Sequence, residues 1–215
     1  LIDYCKVLLK NNSTIPKIFN PSSINLPMLK LLFIGVPGSG KGTQAKLLAE
    51  EGFKQLSTGD IIREAFQKND PLIKPYEAEI NKGGLLPDKI TLQLIEKTIS
   101  SFPKETRGII FDGAVRTIDQ AKYFIENRIL DGTLFFTLLE EQAKKRLESR
   151  GEGREDDAPE AIEKRFQVYN EKTKPILKYL KSNAPFHEAD ASGTIGDIHL
   201  DVKRILNIFN SKISN

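Results

Sequence analysis

The sequence predicts an α/β protein in which a doubly wound parallel sheet is flanked by helices. Short apolar runs alternate with longer stretches of helical periodicity, the pattern of successive strand–helix units. A glycine-rich loop separates the first apolar run from the first helix. The 215 residues include 32 basic and 29 acidic side chains, and 39% are hydrophobic. These values fit one globular domain with small inserted subdomains.

Composition argues against several classes of protein. No apolar run approaches the roughly 18 residues that cross a bilayer. The net charge of +3 is spread along the chain, which argues against nucleic acid as the main partner. Cys5 is the only cysteine, so an intrachain disulfide and a cysteine-rich zinc site are excluded. We therefore expect no membrane or nucleic-acid partner and a reducing, cytoplasmic location.

The first 27 residues differ from the rest of the chain. They are rich in asparagine, and they contain neither the long apolar centre of a signal peptide nor the arginines of a transit peptide. Met28, the sole methionine, directly precedes the first apolar run. We expect residues 1–27 to be an N-terminal extension, non-native or weakly ordered, and Met28 to be the native start or the domain boundary.

Four apolar runs after Met28 predict strands. They occupy residues 29–34, 108–111 and 134–138, with a weaker run at 186–191. Helices fill the gaps, and two of them have a clear apolar face. The first face comprises Ile162, Phe166, Tyr169, Thr173, Ile176 and Leu180, and the terminal one comprises Ile198, Val202, Ile205 and Phe209. Pro175 should kink the first of these helices.

The glycine-rich loop after the first strand predicts a phosphate site of the P-loop type. Residues 35–43 read Gly-Val-Pro-Gly-Ser-Gly-Lys-Gly-Thr and open directly into a helix. Glycines let backbone N–H groups close around phosphate oxygens, and the helix N-terminus and Lys41 add positive charge. Gly42 stands where the common loop has Ser or Thr, and Thr43 follows it. We therefore expect Mg²⁺ to be held mainly by phosphates and water.

Asp112 ends the second predicted strand, where a carboxylate beside a phosphate loop is placed to orient the waters of Mg²⁺. Taken alone, such an aspartate is more often a cap or turn residue. The guanine-reading Asn-Lys-x-Asp motif is absent, because Asn81-Lys82 precedes two glycines. A GTPase is therefore disfavoured. The His-Arg-Asp loop of protein kinases is absent too, so the phosphoryl acceptor needs no such base.

Five collinear segments resemble adenylate kinases, the nucleoside monophosphate kinases that convert ATP and AMP into two ADP. The segments are residues 35–44, 56–63, 82–88, 112–117 with Gln120, and a region containing Arg146, Arg150, residues 154–157 and residues 164–165. Together they cover essentially all of residues 28–215. The resemblance implies an adenylate kinase domain at 28–215, with an AMP-binding subdomain at 57–86 and a short lid at 149–157.

The resemblance also implies which residues bind each nucleotide. ATP would contact Gly38, Ser39, Gly40, Lys41, Gly42, Thr43, Arg150, Gly193 and Ile195. AMP would contact Thr58, Arg63, Gly84, Leu85, Leu86, Gly113, Ala114, Val115, Arg116, Gln120, Arg154 and Arg165. The catalytic cations would be Lys41, Arg116, Arg150, Arg154 and Arg165. Asp112 would hold the Mg²⁺ of ATP through water, and the protein would be a monomer without zinc.

The chemistry of the reaction agrees with this allocation. The acceptor is a phosphate already ionised near neutral pH, so charge neutralisation and alignment replace proton abstraction. Arginine grips phosphate bidentately and keeps its charge. Without the resemblance, Arg146 and Arg150 would suit a solvated helix face, Thr58 a helix cap, and Gln120 a surface position. His187 and His199 have no ligand-like spacing, so we expect no role for either.

Two departures and two alternatives accompany the resemblance. Ala114-Val115 replaces the usual Phe-Pro, which should free the loop of Arg116 and puts AMP affinity in question. Only three residues separate Arg150 from Arg154, so closure should involve a small loop. A UMP/CMP-type kinase is the first alternative, although Thr58, Thr117 and Gln120 favour adenine. The second is a nucleotide-binding module without turnover.

Overall fold

The computed structural model describes residues 28–103, 106–149 and 158–213. The predicted N-terminal extension and all but Ser149 of the predicted lid lie outside these ranges. The strands are β1 (Leu29–Gly35), β2 (Phe53–Ser57), β3 (Gly108–Asp112), β4 (Gly132–Thr137) and β5 (Phe186–Asp190). The helices are α1 (Lys41–Glu50), α2 (Thr58–Gln67), α3 (Glu77–Asn81), α4 (Asp88–Ser100), α5 (Ile118–Glu126), α6 (Glu140–Glu148), α7 (Pro159–Val168), α8 (Ile176–Asn183) and α9 (Ile195–Ile213).

The strands form one parallel sheet in the order β2-β3-β1-β4-β5. The central strand β1 pairs with β3 on one side and β4 on the other. After β1 the chain runs outward to β2 and returns through β3, then crosses β1 to build β4 and β5. The strand order therefore reverses at β1. In open α/β sheets, ligands bind beyond the carboxyl ends of the strands at such a reversal.

Helices cover both faces of the sheet because β1 is apolar on both. Leu31 and Phe33 pack in a cluster with residues of α1 and α9. Leu32 and Ile34 point the other way, into a cluster with residues of α4, α5 and α8. Alternate residues of a strand face opposite sides, so a continuous apolar run suits a doubly covered strand. The predicted doubly wound architecture is confirmed.

The four predicted strands are present, and the structure adds a fifth. β2, Phe53–Ser57, buries Phe53 in the α1/α9 cluster and Leu56 in the opposite one. Its second residue, Lys54, is exposed, which suits a strand at the sheet edge. With one apolar residue for each face, this segment has neither an apolar run nor alternation, so the sequence pattern does not reveal it.

Both predicted helix faces are buried. Every member of the 162–180 set and of the 198–209 set is buried. The first set is not one regular helix, since a π-helical turn at Tyr169–Thr173 separates α7 from α8 directly before Lys174 and Pro175. The break therefore falls where the proline is predicted to disturb the helix. Among the described residues, no helix combines the length and apolarity needed to span a membrane.

Candidate active site

A cleft of about 1040 Å³ opens at the carboxyl ends of β1 and β3. Its walls come from the loop before α1, from α2, from the segment before α4 and from the loop after β3. Residues of α6, α7 and the start of α9 complete it. The cleft is large enough for nucleotide ligands, and it lies at the strand-order reversal.

The phosphate loop wraps one end of this cleft. Gly38 and Gly40 have φ values of +84° and +85°, a left-handed conformation that glycine adopts without strain. Gly40 is the N-cap of α1, and no side chain caps the first turn. Amide groups at an uncapped helix start can donate to a phosphate. The local geometry therefore has the uncapped amide groups that an anion cradle needs.

Lys41, at the first position of α1, lies across the loop. Its Nζ donates to the carbonyl oxygens of Gly35 and Val36 at 3.0 and 2.9 Å, and to Ser39 Oγ at 3.2 Å. These neutral acceptors hold the ammonium group inside the loop. A phosphate oxygen makes a charge-assisted hydrogen bond of roughly twice the strength of a neutral one. Lys41 is therefore placed to exchange loop contacts for phosphate contacts.

Gly38 and Gly40 allow a matched test of the loop geometry. A Cβ at Gly38 would lie 2.5 Å from the backbone oxygen of Ala143 in α6, whereas a Cβ at Gly40 would meet open space. Both share the left-handed φ, which costs an alanine about 1–2 kcal/mol. We expect Gly38→Ala to lower the free energy of unfolding by roughly 1–3 kcal/mol more than Gly40→Ala does, because overpacking adds to the strain. Urea unfolding of both variants measures the difference, and equal losses would contradict this packing.

Asp112 stands beside the loop at the end of β3. Its Oδ2 accepts from Gln55 Nε2 at 3.2 Å, and a Cβ on Gly42 would lie 3.1 Å from the same oxygen. The carboxylate thus reaches the start of α1, where the nucleotide phosphates would bind. Mg²⁺ typically keeps several waters and takes one or two carboxylates besides substrate phosphates. A single carboxylate at this place fits such a site.

The opposite end of the cleft is built around the loop after β3. Thr58 is 4% exposed, and its Oγ1 donates to the carbonyl oxygen of Gly113 at 2.7 Å. Arg116 Nε donates to the same oxygen at 3.1 Å, and Thr173 Oγ1 donates to the carbonyl oxygen of Arg116 at 3.0 Å. The helix cap of α2 is Ser57, which accepts from the amide of Asp60. The capping alternative for Thr58 is therefore wrong, since Thr58 braces the loop instead.

Ala114 and Val115 lie in the middle of that loop. They are 0% and 2% exposed and belong to the cluster with residues of α4, α5 and α8. Packing and the hydrogen bonds to Gly113 and Arg116 hold the loop although the proline is missing. These contacts give no support to a freer loop. The effect of the Ala-Val pair on AMP affinity stays a prediction.

Gln120 is 2% exposed and borders the cleft, so the surface alternative is wrong for this residue as well. Its Oε1 accepts from the amide of Arg116 at 2.6 Å, and its Nε2 donates to Asp88 Oδ1 at 2.8 Å. Thr117 Oγ1 donates to Asp88 Oδ2 at 2.7 Å. A closed network therefore joins the starts of α4 and α5. Asp88, within the matched 82–88 segment, is not among the predicted site residues.

Two further arginines reach the cleft from opposite walls. Arg63 of α2 pairs with Asp60, and both side chains are substantially exposed, at 35% and 55%. Exposed pairs of this kind contribute little stability, so a phosphate can take Arg63 from Asp60 at small cost. Arg165 of α7 lies against Gly83, where an added Cβ would meet its Cγ at 3.0 Å. The segment before α4 and the helix α7 are thus in close contact.

The part of the cleft beside Gly193 and Ile195 is joined to α1 by a buried glutamine that is not among the predicted site residues. Gln44, 1% exposed, donates from Nε2 to the carbonyl oxygen of Ile195 at 3.0 Å. Its Oε1 lies 2.9 Å from His199 Nδ1, which must therefore be the donor. The sequence signal for its burial was its position four residues before Leu48, on the same face of the helix. Arg146 also borders this end and donates to the carbonyl oxygen of Ser192 at 3.4 Å.

Most of the predicted site residues line this one cleft. They are Gly38, Gly40, Lys41, Gly42, Thr43, Thr58, Arg63, Gly84, Leu85, Leu86, Asp112, Gly113, Val115, Arg116, Gln120, Arg165, Gly193 and Ile195. Ser39 and Ala114 are fully buried, at 0% exposure, so their side chains do not reach the cleft. Arg150 and Arg154 lie outside the described residues.

The described walls of the cleft carry more positive than negative charge. Their basic residues are Lys41, Lys46, Arg63, Arg116, Arg146 and Arg165, against Asp60, Glu77 and Asp112. This excess suits polyanionic ligands. No histidine or cysteine is found among the described lining residues, and burial raises the pKa of the nearby Tyr169 phenol to about 12. The arrangement can neutralise and align phosphates.

Comparison with known proteins agrees with the site. The family model for adenylate kinase matches residues 33–185. An adenylate kinase of Porphyromonas gingivalis is 38% identical over 197 residues, which cover 87% of this chain and 100% of the relative. Adenylate kinases of Phocaeicola vulgatus and Thermus thermophilus are 37% and 35% identical, over 81% and 83% of this chain and 96% and 97% of theirs. The extent of these matches shows that the chain belongs to the adenylate kinase family.

Proposed function

We propose that this protein catalyses the reversible, Mg²⁺-dependent transfer of the terminal phosphoryl group of ATP to AMP, giving two ADP. The observation that carries the proposal is a single cleft with cationic side chains at two different ends. The loop with Lys41 forms one end, and Arg63, Arg116 and Gln120 border the other. A nucleotidase or a simple ATP sensor needs the first end alone. Two ends in one cleft suit two nucleotides that meet at their phosphates.

The donor end would hold ATP by its phosphates and by its base. The uncapped start of α1 and the left-handed loop around Gly38 and Gly40 would take phosphate oxygens. Lys41 would leave the carbonyl oxygens of Gly35 and Val36 for the terminal phosphates. The adenine would lie beside Gly193 and Ile195, and Gln44 joins Ile195 to α1. Arg150 would contact the same nucleotide.

The acceptor end would hold AMP between α2 and the loop after β3. Arg63 would exchange its exposed pairing with Asp60 for the AMP phosphate. Arg116 is fixed at its backbone by Gln120 and Thr173, so its guanidinium starts from a defined position. Gln120 and Thr58 would contact the adenine, together with the backbone of residues 84–86. Arg154 and Arg165 would close over the phosphates that are exchanged.

Catalysis would rest on alignment and charge rather than on a general base. The attacking group is an AMP phosphate oxygen, which carries no proton that must be removed near neutral pH. Lys41, Arg116 and Arg165 would neutralise the charge that accumulates as the two phosphates approach. Closure of the lid would exclude water and so prevent hydrolysis of ATP. Each cation would thus stabilise the transferring group more than either bound nucleotide alone.

Mg²⁺ is the cofactor that this family implies, and the carboxylate of Asp112 fits it, as described above. The ion would be held by nucleotide phosphates and by waters that Asp112 orients. Bound there, it would neutralise phosphate charge and help fix the geometry of transfer. Gln55 would keep the Asp112 carboxylate in place through its 3.2 Å hydrogen bond. A monomeric state and a cytoplasmic location stay expectations from the sequence.

The proposal predicts that the protein converts ADP and Mg²⁺ alone into equal amounts of ATP and AMP. Chromatographic separation of the nucleotides measures both products from one reaction. In the forward direction, AMP should be the best acceptor in a set that also includes CMP, UMP and GMP. EDTA should stop turnover, because charge neutralisation by the ion is lost.

Each alternative has a distinct outcome in the same assay. A preference for CMP or UMP would assign the chain to the pyrimidine branch and would show that Thr58 and Gln120 do not select adenine. Binding of ATP without any turnover would indicate a nucleotide-binding module. ATP hydrolysis without AMP formation from ADP would leave the acceptor end without a function.

A further inference from the structure

Asp88 is the first residue of α4, and it lies behind Gln120 rather than on the cleft wall. Both of its carboxylate oxygens are engaged across the gap to α5. Oδ1 accepts from Gln120 Nε2 at 2.8 Å, and Oδ2 accepts from Thr117 Oγ1 at 2.7 Å. The hydroxyl of Thr117 in turn accepts from the backbone N–H of Gln120 at 3.3 Å. The carboxylate therefore contacts both Gln120 and the residue that caps its helix.

These contacts allow only one orientation of the Gln120 amide. A carboxylate can only accept, so the side facing Asp88 must be the nitrogen. The backbone N–H of Arg116 can only donate, so the side facing it at 2.6 Å must be the oxygen. A flipped amide would place its oxygen against the carboxylate oxygen of Asp88 and its nitrogen against the N–H of Arg116. Leaving buried polar groups unpaired in this way is costly.

The fixed amide keeps hydrogen-bonding capacity for a ligand. Its oxygen has a second lone pair and its nitrogen has a second N–H. Together they present one acceptor and one donor in a set order. The edge of adenine offers an amino donor beside a ring-nitrogen acceptor, whereas a 6-oxopurine offers a carbonyl acceptor beside a ring N–H donor. An amide that cannot flip pairs with the first order and opposes the second.

We infer that Asp88 is a specificity-determining positioning residue, which fixes the Gln120 amide so that the acceptor end takes 6-aminopurine and rejects 6-oxopurine nucleoside monophosphates. The inference rests on the proposed function and adds a residue to it. Cytosine presents the same donor–acceptor order as adenine. Amide polarity therefore separates amino from oxo bases, and the size of the site must separate purines from pyrimidines.

Asp88 has a second, structural role that the test must separate. An acidic residue in the first turn stabilises a helix, and Pro87, the N-cap of α4, offers no side-chain cap. Loss of Asp88 can therefore shift α4 and lower the activity with every acceptor. Such a shift would reduce AMP and IMP turnover in proportion. The ratio of the two kcat/KM values isolates the effect on base selection and does not depend on the fraction of folded enzyme.

The test compares AMP with IMP, which differ only at the base edge in question. The wild-type protein should prefer AMP by at least about 100-fold in kcat/KM, as expected for a site that hydrogen-bonds the edge of its ligand. In Asp88→Ala, water replaces the carboxylate and can donate or accept, so only the N–H of Arg116 still opposes the flipped amide. The preference should fall about tenfold, the worth of one hydrogen bond. AMP turnover should drop while IMP turnover is kept or rises.

Matched variants control the experiment. Asp119→Ala removes an exposed carboxylate in the first turn of α5 and should leave the AMP/IMP ratio unchanged. Asp88→Ser keeps a good helix-starting residue, and its hydroxyl can donate or accept, so this variant should lower the ratio even if Asp88→Ala folds poorly. In a Gln120→Ala background, Asp88→Ala should change the ratio no further, because Asp88 acts through Gln120.

The outcomes separate the two proposals. If the wild-type protein does not phosphorylate AMP, the proposed function is overturned. If it does, and the ratio in both Asp88 variants equals that of the wild type, the inference alone is overturned. Equal ratio losses from Asp88→Ala with and without Gln120 would also overturn it, because they would show an effect that bypasses the amide. The inference is supported if Asp88→Ala and Asp88→Ser each lower the AMP/IMP ratio, and if Asp88→Ala lowers it no further in the Gln120→Ala background.

Discussion

Replacement of Lys41 by methionine is expected to lower kcat for transfer from ATP to AMP by at least about 10³-fold. Methionine has a similar length but no charge, so the cation that should reach the terminal phosphates is lost where charge accumulates. The three hydrogen bonds of Nζ to Gly35, Val36 and Ser39 are lost as well. Steady-state kinetics with both nucleotides varied measures kcat and each KM separately.

The control for Lys41 is a lysine of equal charge outside the cleft. Lys54→Met removes an exposed lysine from β2 and should change kcat by less than about twofold. Thermal unfolding of both variants separates lost catalysis from lost stability. Turnover of Lys41→Met within tenfold of the wild type would contradict the assignment of this lysine to the transferring phosphate.

Arg116→Ala should lower kcat/KM for AMP by about 10²–10⁴-fold while the affinity for ATP stays nearly unchanged. The guanidinium lies at the acceptor end, oriented through the 3.1 Å hydrogen bond from Nε to the carbonyl oxygen of Gly113. Removal of a cation placed for the transferring group costs about this much in comparable phosphoryl-transfer sites. Kinetics at varied AMP and separate titration with an ATP analogue measure the two effects.

Arg116→Lys tests the geometry of the contact apart from its charge. Lysine keeps the charge but loses the planar fork, so we expect only partial recovery of kcat/KM. Arg204→Ala removes an exposed arginine of α9, paired with Asp201, and should behave as the wild type. Equal weakening of ATP and AMP by Arg116→Ala would place the residue between the two nucleotides rather than at the acceptor.

Local pattern was sufficient wherever one segment supplied the whole signal. The apolar run at 29–34 predicts a strand buried on both faces, and β1 is that strand. Strand, glycine loop and lysine together predict the phosphate cradle, because backbone conformation at Gly38 and Gly40 is set by those residues themselves. The helix faces at 162–180 and 198–209 follow from spacing alone.

Local pattern was not sufficient where the signal is shared between distant segments. β2 has a single apolar residue for each face of the sheet, and only pairing with β3 makes it a strand. Local pattern alone would suit Thr58 as a helix cap, but its hydroxyl donates to the carbonyl oxygen of Gly113, 55 residues away. Gln120 resembled a surface residue because its two partners, Asp88 and the amide of Arg116, come together only in the fold.

Short-range pattern and motifs in a fixed order were enough to predict the architecture, the phosphate loop and the family. The order of the strands, the bracing of Arg116 by Thr173, and the Asp88–Gln120 and Gln44–Ile195 contacts are visible only in the fold. Hydrogen bonds between residues far apart in the chain depend on their positions in space, which short-range pattern does not encode. Residues 32 and 151 apart in the chain leave no periodic mark of their contact.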